Sequence, residues 1–411
     1  MDETLIIEKL GPIGKLEIKP RPLTIIIGEQ ASGKSLVAQV LYFFRGLESQ
    51  LGRIYSPKLV QQKGWHAKAI SQILNDLRAV PFQHFANRKA VITYRDDSRQ
   101  TEWKISIGER RRFPELSQSL LRDVDRWAAK WSEEAEVLGD TRRLAHVFIP
   151  TERSLYTRLR SSEPAVLFGP HQPSCFRQFA RLMLATEHVL HSKFQPSLRD
   201  KEAEEFRTSG EEERGFQRML DGVDFIMSCE AEALGGHAAV ATETTSDWQW
   251  SVLRRGRAKK LPIEATSSGQ MEAWPFFAIA KTAGLIFEGS DFYFEEPETH
   301  LHPRAQVEVM KVIAYLVNHG HRFMVTTHSP FIGYVVDNMM QRFMSYKGKV
   351  PEGQIALNPD DVAAYRLRQR PEDPPEDIMD REHTKLLVLD ELEDVADELE
   401  AEFDELLDME A

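Results

Sequence analysis

Cysteine is scarce: Cys175 and Cys229 are the only two in 411 residues, which excludes a disulfide framework and any cysteine-based metal site. Their expected role is packing in a reducing compartment. No apolar run approaches the roughly 18–20 residues that span a bilayer. The opening MDETLIIEKLG starts on acids, not on the basic-then-apolar order of a secretory signal. Internal repeats and sustained heptads are also missing, which sets aside solenoids and long coiled coils. These absences leave a cytoplasmic globular chain with no membrane partner. Its 42% apolar and 28% charged residues are the proportions of an ordinary soluble core and surface. The length allows two or three domain-sized units.

Positive charge is nearly absent from one end. Residues 371–411 hold eighteen Asp/Glu against Arg381 and Lys385, a net −16, so the overall −12 conceals a body near +4. A mildly basic body leaves nucleic acid open as a partner. RRR at 110–112 and RRGRAKK at 254–260 are the stretches that would meet phosphates, although basic turns are more often solvated faces. In the tail, apolar residues recur at 388, 392, 395, 399, 403 and 406. That is one stripe of an amphipathic helix, expected to pack on its own domain or to dock on a basic partner.

What is present reads as α/β. LIIEKLGPIGKLEIKPRPLTIIIG alternates strand-like runs with Gly and Pro punctuation, and residues 34–48 continue as a helix. KAVITYRDD (89–97) and TEWKISIGE (101–109) alternate as a β-hairpin. A helix is expected at 114–137 and a strand at 145–154. Helical patterns fill 156–235, broken by the charged LRDKEAEEFRTSGEEERG, and are read as an inserted arm with a solvated hinge or tip. Strands resume at HAAVATETT, WQWSVLRRG, SDFYFEEPE and RFMVTTHSP, with a helix from 303 closed by Gly320. The expected division is 1–155 and 238–345 for the two parts of one α/β unit, 156–237 for the arm, and 346–411 for an extension ending in the acidic helix.

Four constellations carry chemistry. Gly28-Glu29-Gln30-Ala31-Ser32-Gly33-Lys34-Ser35 fits G-x-x-x-x-G-K-[ST] between a strand and a helix. In that pattern backbone N–H groups cradle phosphates, Lys34 reaches the β- and γ-phosphates of ATP, and the Ser35 hydroxyl ligates Mg²⁺. DFYFEEPETHLHP delivers Glu295 and Glu296 at a strand end: one acid for the Mg²⁺ shell, its neighbour to polarise water. Ser267-Ser268-Gly269-Gln270 opens a helix, either as a plain N-cap or as a second anion site. VTTHSP ends a strand on His328, within reach of a γ-phosphate, where a lone His would otherwise be a polar edge residue. His300 and His302 form an H-x-H that Pro303 makes a turn rather than a zinc site, and Arg153 in IPTERS is placed near the nucleotide or a protomer interface.

Together the four resemble, in order, Walker A, signature, Walker B and H-loop of an ABC-type ATPase. GEQASGKS, IPTERS, SSGQ, FEEPETHLHP and THSPF are similar to the OLD/RecF-like branch, common in prokaryotic anti-phage defence. The similarity covers residues 1–60 and 240–345, and more faintly 357–367. It implies an ABC-type P-loop core in which two protomers sandwich two ATP molecules head to tail. Lys34 and Ser35 of one protomer then face Ser267 and Gly269 of the other. It also implies Glu295 for Mg²⁺, Glu296 as general base and His328 as γ-phosphate sensor. Glu295 stands where most ABC proteins carry Asp, and Thr-Ser-Ser-Gly-Gln replaces Leu-Ser-Gly-Gly-Gln. OLD nucleases carry a Toprim domain after the ATPase. Only 83 residues follow His328, so an effector, expected to be a nuclease, would act in trans, with a homodimer or higher homo-oligomer as its switch. A RecF-like clamp on DNA and an ATP-binding scaffold that sequesters a toxin are the competing readings.

Overall fold

The computed structural model describes residues 3–76, 86–108, 113–133, 146–160, 164–169, 172–193, 210–240, 248–254, 257–286, 289–369, 374–389 and 400–403. The chain opens with β1 (Glu3–Leu10), β2 (Ile13–Ile18) and β3 (Leu23–Gly28), the last buried at every position. Burial on both faces is what a central parallel strand requires, and it accounts for the run Ile25-Ile26-Ile27. Helix α1 (Lys34–Ile54) passes the expected end at 48 because apolar positions continue through Leu51. Then come α2 (Pro57–Val60), α3 (Trp65–Asp76), the hairpin β4 (Ala86–Asp96) and β5 (Thr101–Gly108), β6 (Glu115–Leu116) and α4 (Gln118–Glu133). The hairpin stands where the alternation placed it, its tip a 3-10 turn at Asp97–Arg99.

Strand β7 (His146–Ile149) is shorter than the 145–154 expected. Pro150 cannot donate to a ladder, and Thr151–Arg153 form a 3-10 turn instead. Helices α5 (Ser154–Leu159), α6 (Pro164–Phe168), α7 (Ser174–Lys193) and α8 (Gly210–Leu234) follow, then β8 (His237–Val240), β9 (Trp248–Arg254) and β10 (Arg257–Pro262). The motif-bearing half comprises α9 (Ser268–Ile286), β11 (Asp291–Glu295), α10 (Pro303–Asn318), β12 (Arg322–Thr327), α11 (Pro330–Ser345), β13 (Val362–Leu367) and β14 (Glu376–Asp377).

The central sheet runs β14-β13-β3-β12-β11-β7, parallel except for β14. Its side chains alternate between two apolar layers. Ile26, Tyr293 and Met324 face α1 and the antiparallel sheet β2-β1-β4-β5-β6. Ile25, Ile27, Phe292, Phe294 and Val325 face the helices of the second half. That second layer includes Phe176, Phe179 and Met183 of α7 and Ile226 of α8. Of the helices in the expected arm, α7 packs on β7 and on α9, and α8 packs chiefly on α9 and α10, which cover its apolar residues. Residues 194–209, most of the expected hinge or tip, lie outside the described residues.

Residues 346–411, set apart in the sequence as an extension, supply β13 to the interior of this sheet, directly beside β3. Leu387 and Leu389 are buried further on, the Leu387 amide donating to Asp337 of α11 at 2.8 Å. The acidic helix is described only at 400–403, and RRR at 110–112 and residues 255–256 of RRGRAKK fall outside the described residues. Both cysteines are buried, and burial pushes the Cys229 thiol up to about 12, which suits a packing role. At the end of the sheet where β11 begins, Arg45 of α1 pairs with Glu3 at 2.6 Å and with Asp291 at 3.7 Å. Burial would raise the Asp291 carboxyl, but Arg45, His146 and Arg322 together hold it well below the usual carboxylate range. This network fastens β1, α1 and β11 together at the end remote from the P-loop. Among the described residues, no helix is long and apolar enough to cross a membrane.

Candidate functional site

Open parallel sheets bind ligands at their carboxyl edge, and every candidate group gathers there. Gly28 ends β3, Glu295 ends β11, Thr327 ends β12 and Leu367 ends β13. The loop from Gly28 enters α1 through Gly33, which holds the left-handed N-cap position. Ser32 donates its hydroxyl to the Glu29 carbonyl at 2.8 Å, closing the loop on itself. The Lys34 ammonium lies inside this ring and donates to the carbonyls of Gly28 (2.8 Å) and Glu29 (2.6 Å); His328 Nδ1 is 3.2 Å away.

From His328 the contacts continue to the paired acids. His328 Nε2 is 3.2 Å from Glu296 Oε1, with both side chains about a quarter exposed, at 30% and 27%. Glu296 adopts φ of 44°, a left-handed backbone uncommon outside glycine and found where surroundings enforce it. Its amide donates to Thr326 at 2.8 Å, and its carbonyl accepts from the Thr299 hydroxyl at 3.0 Å and from Arg153 at 2.9 Å. Glu295 differs in kind: at 4% exposure it is buried, accepting from the Thr151 amide (3.2 Å) and the Gln39 amide group (3.5 Å). One acid is therefore fixed in the wall and the other faces the opening.

Ser35 precedes Gln39 by one helical turn, so the two lie on the same face of α1. That face meets Glu295 through Gln39. A hydroxyl and a carboxylate are hard oxygen donors of the kind Mg²⁺ takes while retaining water. Among the described residues, no three His, Cys, Asp or Glu side chains group as a metal cage. The donor set fits Mg²⁺ held partly by phosphate, not a protein-enclosed metal.

The Ser267–Gln270 turn is built as a capping box. Ser267 N donates to Gln270 Oε1 at 2.9 Å while Gln270 N donates to Ser267 Oγ at 3.4 Å. Gln270 also donates to the Leu234 carbonyl at 2.8 Å, so its side chain is committed within the fold. A Cβ on Gly269 would come 2.7 Å from the His300 carbonyl. Only glycine lets the start of α9 sit this close to the turn after Glu296. His302 caps α10 by accepting from Arg304 N at 3.3 Å, and His300 sits at φ of 58°, the turn that Pro303 implied.

Residues 191–332 match the model of a family described as "AAA ATPase domain". The match takes in the Ser267–Gln270 turn, both glutamates and His328, and the P-loop lies outside it. The chain is an ATPase by this match, with a complete P-loop pattern at Gly28–Ser35 ahead of the matched residues. ATP binding follows for this ATPase. Three solved structures are similar at low identity. An SmcHead bound to the C-winged helix domain of ScpA is 16% identical at a TM-score of 0.42, covering 81% of this chain and 91% of that one. An Smc head domain with an extended coiled coil, bound to the C-terminal domain of ScpA from Pyrococcus furiosus, gives 14%, 0.40, 97% and 98%. The SMC head domain from Thermotoga maritima gives 8%, 0.38, 89% and 95%. No curated protein matches the chain.

Sequence reasoning overlooked several groups in this ATPase. Glu298 Oε1 accepts from the Thr327 hydroxyl at 2.7 Å and from the His328 amide at 2.8 Å, so it sets the loop that carries His328. Its place two residues after Glu296 was a visible signal. Thr151 and Gln39 hold Glu295, and Gln369 donates to the Gln30 carbonyl of the P-loop at 3.1 Å. No spacing rule points to these three. Arg153, expected near the nucleotide or an interface, is fully buried between α9 and the paired acids.

Burial pushes the Lys34 ammonium down to about 8, against the opposing pull of Glu296, Glu298 and Glu29. ATP phosphates favour the charged form. At pH 8.5 a largely neutral Lys34 must therefore take up a proton as ATP binds, whereas at pH 7 it is already charged. Calorimetry in buffers of different ionisation enthalpy should show this uptake growing from pH 7 to 9. Lys34→Arg should abolish the growth, and a flat profile in the unaltered protein would sink the assignment.

Proposed function

We propose that this ATPase hydrolyses Mg-ATP at a composite site between two head-to-tail protomers and uses that cycle as a switch. The observation that carries the reading is the continuous set of contacts from Lys34 through His328 to Glu296, with Glu295 held apart in the wall. In it, Lys34 and the loop amides bind phosphate, and Ser35 and Glu295 hold Mg²⁺. Glu296 takes a proton from the attacking water, and His328 lies between that carboxylate and the phosphate lysine. Mg²⁺ supplies charge neutralisation on the phosphates. Ser267 and Gly269 of the second protomer complete the site, their helix start aiming its dipole at the γ-phosphate.

The resemblance to the OLD/RecF-like branch supports the purpose: a sensor or switch subunit of a prokaryotic anti-phage system, controlling an effector in trans, with a nuclease as the class of effector. Particle mass tests the composite site. With Mg-ATP the 47.2 kDa chain should double in mass or form a larger ring. Ser267→Arg, which thrusts a long side chain into the proposed interface, should hold it at the monomer mass. An unchanged wild-type mass would count against the dimer. For the purpose, cells expressing the chain with its genomic neighbours should lose fewer bacteria to phage than cells carrying Lys34→Ala, and equal plaque counts would reject the defence role.

A further inference from the structure

Arg153 stands out as a wholly buried guanidinium, 0% exposed, whose hydrogen bonds end on backbone carbonyls of three separate segments. Nε donates to Glu272 at 2.9 Å, in the second turn of α9. Nη1 donates to Pro150 at 3.2 Å and to Glu295 at 2.9 Å, and Nη2 to Glu296 at 2.9 Å. The guanidinium lies 5.0 Å from the centre of the Phe294 ring, and the Glu272 carboxylate, 3.6 Å away, balances the charge. Burying such a group is expensive unless its donors are satisfied, and a hydrophobic residue would fill the same space at lower cost. What a hydrophobic residue cannot do is hold four carbonyls in one plane.

Three of those carbonyls, of Glu272, Glu295 and Glu296, belong to the two elements whose relative position decides whether the proposed site is assembled. Pro275 lies inside α9 and deprives the same turn of one internal donor, which loosens the stretch that Arg153 grips. The start of α9 also touches the turn after Glu296 directly, at Gly269 and His300. The strained backbone of Glu296 is thus tied to the signature helix of its own chain by a rigid, planar connection.

We infer that Arg153 is a positioning residue that transmits engagement of a protomer's signature turn to that protomer's own Glu296. This inference rests on the composite-site reading above. In a head-to-tail dimer each signature turn grips the ATP bound by the partner, so Arg153 makes hydrolysis at one site depend on nucleotide at the other. The coupling runs through backbone position: a small shift of α9 moves the Glu295 and Glu296 carbonyls with it.

A double-mutant cycle tests this. Arg153→Lys keeps the charge but cannot reach all four carbonyls, and Ser267→Ala weakens the signature grip. Each single change should lower kcat by about 100-fold, the scale of a misplacement near 1 Å. The double variant should fall no further, and Arg153→Lys should leave the dissociation constant for ATP within about twofold, because the loss is in turnover. Additive losses, with the double variant down by about 10⁴-fold, would overturn the inference, as would an Arg153→Lys variant with unchanged kcat. Particle mass on the same samples separates the two readings: a wild type that hydrolyses ATP without dimerising overturns the dimer, whereas additivity in a dimerising protein overturns only the role of Arg153. If Arg153→Lys does not fold, hydrogen exchange of the wild type decides. Peptides covering 268–276 and 296–300 should gain protection together on ATP addition, and in Ser267→Ala neither should. Protection confined to 268–276 would reject the link.

Discussion

Replacing Glu296 by Gln should lower ATP turnover by ~10²–10⁴-fold, the range for loss of a general base, while ATP binding persists and the dimer accumulates. The expectation follows from how differently the two neighbouring acids are held. Glu295 is 4% exposed, with Thr151 and Gln39 on its oxygens, so it is poorly placed to receive a proton from water entering the cleft. Glu296 projects from a left-handed backbone beside His328. Gln keeps the size and one hydrogen-bond acceptor but cannot take the proton. Glu295→Gln should instead weaken the response to Mg²⁺, raising the Mg²⁺ concentration needed for half-maximal turnover. Phosphate release over time, together with retention of labelled ATP, distinguishes the two. Glu296→Gln with near-normal turnover would assign the base elsewhere.

Among the described glycines, Gly28→Ala should be the most damaging. Gly28 adopts φ of 149°, and a Cβ there would lie 2.0 Å from the Leu367 carbonyl oxygen, an atom of the adjacent β13 backbone. Backbone cannot rotate aside as a long side chain can. Strand β13 must leave β3, or β3 must end one residue early and carry the P-loop with it. Either outcome costs about 3–5 kcal/mol, the upper range for a single substitution. Urea denaturation should show the loss as a lowered midpoint or as insoluble protein, with ATP binding abolished in whatever remains folded. A Gly28→Ala variant with an unchanged midpoint would mean that β13 does not pair beside the P-loop.

Much of the ATPase was legible because its signals are local. Gly28 to Ser35 spell a phosphate-binding pattern within eight residues, and Ile25-Ile26-Ile27 can be buried on both faces only in a central strand. Glu295 and Glu296 follow an apolar strand, and His328 ends the next one in sequence. Other features depend on contacts between residues distant in sequence, which leave no periodic trace. Glu298 holds His328 across 30 positions and Gln369 reaches Gln30 across 339. Helices 174–193 and 210–234 read as an arm because a helical pattern broken by a charged stretch does not say what covers its apolar residues. Residues 362–367 fall within the expected 346–411 extension because six residues of strand look alike at an edge or in a centre.

The sequence by itself determined the candidate chemistry: a phosphate-loop pattern, a lysine, adjacent acids and a terminal histidine are set by residue type and short spacing, and no packing could supply them. Tertiary structure alone decided how they stand. It buried Glu295 and left Glu296 facing the opening, placed β13 against the P-loop strand, and buried Arg153 between signature and acids. Each of those outcomes depends on which backbone atoms long-range folding brings within hydrogen-bond distance, and a linear order of side chains does not specify that.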